Sequence, residues 1–161
     1  MITVADIIRA EKTNVCTGEW KSGKIPSSAF PLTKGTRAIP VGPSWEWRLC
    51  KFDALGFHCR VLIRLNVEKC NYYATLGFEA DGKFRVICHH EFHMSHRGWH
   101  CHFTPGSILD VFPGVLRDSD RMRPIEAALG LAVSTKFDVT RSNGLTLAAM
   151  RYRFQAPGGF L

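Results

Sequence analysis

Residues 89 to 102 read HHEFHMSHRGWHCH and hold six of the chain's seven histidines. Imidazole is the side chain whose ordinary pKa lies closest to neutral pH, so such a cluster can exchange protons or bind a metal. His100 and His102 stand two apart and share a face of any strand that carries them, as do His89 and Glu91. The connection between these two stretches, residues 93 to 98, is short enough for the strands to pair. Their histidines would then lie within about 5 to 8 Å of one another. His90 has the opposite parity and is expected in the core, and His93 and His96 fall in or near the turn.

Two chemistries fit that spacing. The first is general acid–base cleavage of a phosphodiester, in which a neutral imidazole takes a proton from the nucleophile and a protonated one supplies the leaving oxygen. RNA carries its own nucleophile, the 2′-hydroxyl, so this chemistry needs neither metal nor cofactor. His89, His100 and His102 are the expected catalytic residues. Arg48, Arg60, Arg85 and Tyr73 are expected to bind phosphate, guanidinium groups being well shaped for it. The second chemistry is metal ligation by His-x-His with a third His or Glu91, suited to zinc or iron. The cupin metal motif also contains His-x-His, but Thr104-Pro105-Gly106-Ser107 stands where that motif places a Glu. H-E-x-x-H is absent as well. The expectation is therefore an acid–base site without metal or cofactor. A face that binds nucleic acid or a protein partner without chemistry is the alternative.

Charge points the same way. The formal net charge is +7 with a sequence pI near 9.3, which favours polyanionic partners. No run of five or six basic residues occurs, so the charge belongs to a folded face rather than a tail. RNA is the expected partner, with a protein inhibitor as a second. Compact basic ribonucleases of toxin–antitoxin or phage-defence type are similar in size and charge, an analogy that carries no residue roles. No apolar run approaches a bilayer-spanning length, and MITVADIIRAEK lacks the features of a signal peptide. A cytoplasmic protein without a membrane partner is expected. The six cysteines, at 16, 50, 59, 70, 88 and 101, form no C-x-x-C pair and are expected to be reduced. Cys50, Cys59, Cys88 and Cys101 fall in strand-like runs as small hydrophobes.

The elements that must position these residues follow from periodicity. At 161 residues the chain suits one domain with a real core. Thr3 followed by Asp6 starts a short helix over 4–11. Residues 12–44, rich in Gly, Pro and Lys, form a basic irregular segment. From 45 to 104 the period is two. Five runs alternate, as in Phe57, Cys59, Val61, Ile63 and Leu65 against His58, Arg60, Leu62 and Arg64. This is an antiparallel β-meander with one buried face. Its other face would hold Glu46, Arg48, His58, Arg60, Arg64, Tyr73, Arg85, His89, Glu91, His100 and His102. Parity at residues 78–84 favours a three-residue loop, Ala80-Asp81-Gly82, setting Phe78 opposite Phe84. A helix over 124–133 and a hairpin over 135–155, turning at Ser142-Asn143-Gly144, complete an α+β domain. It would have five or more strands, with one or two helices on the apolar face.

Overall fold

A computed structural model describes residues 1–32, 39, 42–96, 98–116, 123–125 and 137–155. Helix α1 (Val4–Arg9) opens the chain, followed by β1 (Thr13–Cys16) and β2 (Lys21–Ser22). The meander is β3 (Glu46–Ala54), β4 (Phe57–Asn66), β5 (Asn71–Ala80), β6 (Lys83–His93) and β7 (Gly98–Phe103). Strand β8 (Arg123–Ile125) and helix α2 (Arg141–Tyr152) follow. Among the described residues one eight-stranded sheet runs β1-β3-β4-β5-β6-β7-β8, with β2 also pairing β3. The architecture is α+β, a meander with helices on one face. No described helix is long and apolar enough to cross a membrane.

Helix α1 starts at the expected cap: the Thr3 hydroxyl accepts from the Asp6 amide, and the Asp6 carboxylate accepts in return from the Thr3 amide at 2.8 Å. This reciprocal pair satisfies two donors that a helix start leaves unpaired. The segment after it is less irregular than its composition implies, because β1 and β2 both add to β3. Gly18, between the two strands, and Gly23, just after β2, both take positive φ without preventing them.

The β5–β6 turn differs from the parity argument. Asp81 and Gly82 form a two-residue turn with φ of 53° and 65°, and Phe78 faces Arg85. Positive φ at both central residues matches the twist of the flanking strands, which is why Asp-Gly wins here. The parity conflict is resolved further along. Gly77 pairs Val86 while Leu76 pairs Cys88, so Ile87 is the extra residue of a bulge. Beyond it the faces of β6 exchange: even-numbered residues before the bulge share a face with odd-numbered ones after it.

Both faces of the sheet are covered. The helix face packs Val61, Ile63, Leu65, Tyr72, Leu76, Phe78, Cys88 and Phe92 against Ile7, Ala148, Ala149 and Tyr152. The opposite face carries a second cluster of Phe30, Ile39, Trp47, Leu62, Phe84 and Val86. Trp47 and Leu49 therefore belong to the second face, and Arg48 lies on the helix face. Four strand cysteines, Cys50, Cys59, Cys88 and Cys101, are buried, and all six are free thiols.

The C-terminal region departs most from expectation. Residues 141–152 form α2 instead of a hairpin strand. The Thr140 hydroxyl accepts from the Asn143 amide at 3.1 Å, so Asn143-Gly144 lies in the first helical turn. Gly144 is needed for close approach: a Cβ there would meet Leu65 Cδ2 at 2.6 Å. Leu145, Ala148, Ala149 and Tyr152 then follow helical spacing into the core. The Tyr152 hydroxyl donates to the Ala74 carbonyl at 2.7 Å, tying α2 to the centre of the sheet. The helix expected over 124–133 begins instead as β8, paired with β7; its remaining residues lie outside those described.

Candidate functional site

Pairing register places the ionisable residues. Residues directly opposite on neighbouring strands share a face, so rows can be read across the sheet. One row on the second face runs Trp47, Arg64, Tyr73, Glu91, His100. The next runs Leu49, Leu62, Thr75, His89, His102, Pro124. The β3–β4 ends of these rows are largely apolar and the β6–β7 ends are ionisable.

Glu91 is the hub. Its Oε2 lies 2.9 Å from His100 Nε2 and 3.5 Å from His93 Nε2, and its Oε1 lies 4.0 Å from His89 Nδ1. Glu91 is buried, and a buried carboxylate is costly unless paired and hydrogen-bonded. Imidazoles from both strands supply the pairing. The His93 and His100 rings are 4.5 Å apart, and those of His100 and His102 are 5.4 Å apart. Glu91, His100 and His102 each offer one ligating atom, all within 4.8 Å of one another.

His89 sits in this cluster with both ring nitrogens engaged. Its Nε2 lies 2.6 Å from the Leu116 carbonyl oxygen and its Nδ1 lies 3.0 Å from Thr75 Oγ1. A carbonyl only accepts, so Nε2 carries the proton and Nδ1 accepts from the Thr75 hydroxyl. Burial pushes this imidazole down to about 4, so it is neutral at physiological pH. Arg64, also buried, lies 4.8 Å over the Tyr73 ring. Burial lowers its pKa to about 10, which still leaves it cationic at neutral pH. Tyr73 in turn contacts Trp45 and His93, with ring centroids 5.7 Å and 5.8 Å away.

No protein-family model, curated protein or solved structure matches this chain.

The expected site residues divide into two groups. His89, His100, His102 and Tyr73 come together on the second face. Arg48, Arg60 and Arg85 do not join them. Arg48 donates from Nε to the Thr17 carbonyl at 2.6 Å on the helix face. Arg85, opposite Phe78, has its Nη1 on the Ala80 carbonyl at 2.9 Å and closes the β5–β6 turn. It lies on the far side of the bulge, six residues and about 20 Å of strand from Glu91. Arg60 shares the second face but is bound to the Ser28 and Ala29 carbonyls at 2.8 and 3.0 Å and to Glu79 at 3.2 Å. His58 pairs with Asp53 at 2.6 Å, six residues along β4 from Arg64, and is mostly exposed.

His90 takes the core side as its parity implies, stacked 4.7 Å from Trp99, and burial pushes it down to about 3. His93 ends β6 next to the turn, as its place in the sequence implies, and stands against Glu91. Arg64 and Glu91 replace the three distant arginines as the charged partners of the histidines. Their signal in the sequence was parity alone: Arg64 has the parity of Arg60, and Glu91 that of His89.

Proposed function

We propose that this protein is a metal-independent endoribonuclease whose active site is the cluster around Glu91. One observation carries the reading. Two imidazoles, His100 and His102, stand with ring centroids 5.4 Å apart on one strand, with a buried carboxylate 2.9 Å from His100. In the proposed reaction one of these imidazoles takes the proton of the RNA 2′-hydroxyl as its oxygen attacks phosphorus. The other gives a proton to the departing 5′-oxygen. The products are a 2′,3′-cyclic phosphate and a 5′-hydroxyl. Glu91 orients His100, as a carboxylate commonly does for a catalytic imidazole. His89, neutral and doubly hydrogen-bonded, acts as a positioning residue that holds β6 against Leu116. Arg64 supplies positive potential beside the site. The net charge of +7 supports an RNA partner. A cytoplasmic enzyme of toxin–antitoxin or phage-defence kind, held in check by a protein inhibitor, suits its size and charge.

The test is incubation with labelled single-stranded RNA and DNA, with and without EDTA, for wild type and His100→Ala. RNA should be cut in EDTA and DNA should bind uncut. His100→Ala should lose about 10²- to 10⁴-fold in rate at nearly unchanged RNA affinity. RNA bound but never cut would leave a nucleic-acid-binding module in place of an enzyme.

A further inference from the structure

We infer that Glu91, His100 and His102 form a zinc-binding site, and that zinc switches off the acid–base chemistry of the same side chains. The zinc site stands on geometry alone; its inhibitory consequence rests on the ribonuclease reading.

The three ligating atoms lie within 4.8 Å of one another. A tetrahedral zinc ion with bonds of about 2.0–2.1 Å spaces its donors roughly 3.4 Å apart. Side-chain adjustments of about 1 Å therefore close the site around an ion. The donors come from two hydrogen-bonded strands, Glu91 opposite His100 and His102 opposite His89, so the backbone fixes their relative positions. Two imidazole nitrogens and one carboxylate oxygen are borderline donors, suited to zinc, whereas magnesium and calcium favour sites made of oxygen. Three protein ligands leave a fourth position for water or a phosphate oxygen. His93, with Nε2 3.5 Å from Glu91 Oε2, stands beside the carboxylate as an outer partner.

Occupancy and acid–base catalysis exclude each other. An imidazole that binds zinc through one nitrogen and keeps its proton on the other has no free lone pair to accept the 2′-hydroxyl proton, and it cannot form the imidazolium that donates to the leaving oxygen. Zinc binding is also linked to pH, because protons compete for these donors.

The experiment uses untagged, chelator-stripped full-length protein titrated with zinc against a chromogenic chelator. One zinc per chain should bind at micromolar affinity or tighter. His102→Ala and Glu91→Gln should each weaken binding more than about 100-fold, beyond the loss typical of an outer-sphere partner. His58→Ala should leave binding unchanged. If a variant fails to fold, cobalt(II) in the wild type decides: intense visible bands mark a tetrahedral site, and weak octahedral bands overturn it. RNA cleavage should fall with the same zinc midpoint as binding. Failure to bind one zinc, or unchanged affinity in the folded variants, overturns the site. Cleavage that requires zinc and stops in EDTA keeps the site but overturns the inhibitory role and the metal-independent mechanism. Zinc binding with no cleavage under any condition keeps the site and overturns the ribonuclease reading.

Discussion

Lowering the pH from 7 to 5 should destabilise this fold by an amount that follows from two buried imidazoles. His89 is pushed down to about 4 and His90 to about 3, both first by burial. In the unfolded chain each would titrate near 6.5. The native state therefore binds fewer protons than the unfolded state below that value, and stability falls as pH falls. The loss begins near the unfolded value and grows by about 1.4 kcal/mol per pH unit for each group until its folded value is reached. At pH 5 each histidine costs about 2 kcal/mol, given folded values of about 4 and about 3. Together they cost about 4 kcal/mol, a large share of the roughly 5–15 kcal/mol that holds an ordinary domain together. Urea unfolding at pH 7, 6 and 5 measures this directly. The carboxylates whose pKa values are lowered, Asp6 and Asp53, titrate below this window and do not confuse it. His90→Phe keeps an aromatic ring against Trp99 and should remove about half of the pH slope, whatever it does to absolute stability. A pH slope left unchanged by His90→Phe would refute the burial of a neutral imidazole there, because the comparison with wild type cancels every other titrating group.

Two further outcomes follow from the fold. Gly77→Ala should destabilise by about 1–3 kcal/mol in denaturant melts, as overpacking does. A Cβ at that position would meet Phe84 Cζ at 2.5 Å and the Arg85 carbonyl at 2.8 Å, and the carbonyl belongs to the paired strand. A melt unchanged by this substitution would contradict the β5–β6 register. Thiol titration in denaturant without reductant should find six free groups, and in the native state only the exposed Cys16 and Cys70 should react promptly. Two missing groups traced to Cys88 and Cys101, whose sulfurs lie 3.6 Å apart, would show that these thiols pair.

The meander was legible because alternation over five runs is a strong signal. Which face each run presented was harder. Alternation identifies the buried face only when the other is solvated, and here both are covered. Trp47 and Leu49 are apolar yet lie on the histidine face, so their parity misplaced Arg48. The bulge at Ile87 misplaced Arg85 for a different reason: one extra residue inverts every assignment on one side of it, and no residue type announces it. His89, Glu91, His100 and His102 all lie beyond the bulge, where their mutual spacing is intact, so their grouping survived. Helix α2 was hidden by Asn143-Gly144. The same dipeptide serves a hairpin turn or, as here, a helix start where Gly144 lets Leu65 approach. The engagement of His89 with Leu116, far along the chain, has no local sequence signature.

The most direct test of the proposed chemistry is cleavage of an RNA oligonucleotide carrying a single 2′-deoxy substitution. The labelled products are resolved by mass. Attack by the internal hydroxyl predicts a 2′,3′-cyclic phosphate at every cut and complete protection of the linkage that follows the deoxy residue. His100→Ala and His102→Ala should both suppress all cuts. Cleavage at the deoxy position, or products ending in a 5′-phosphate and a 3′-hydroxyl, would contradict the account.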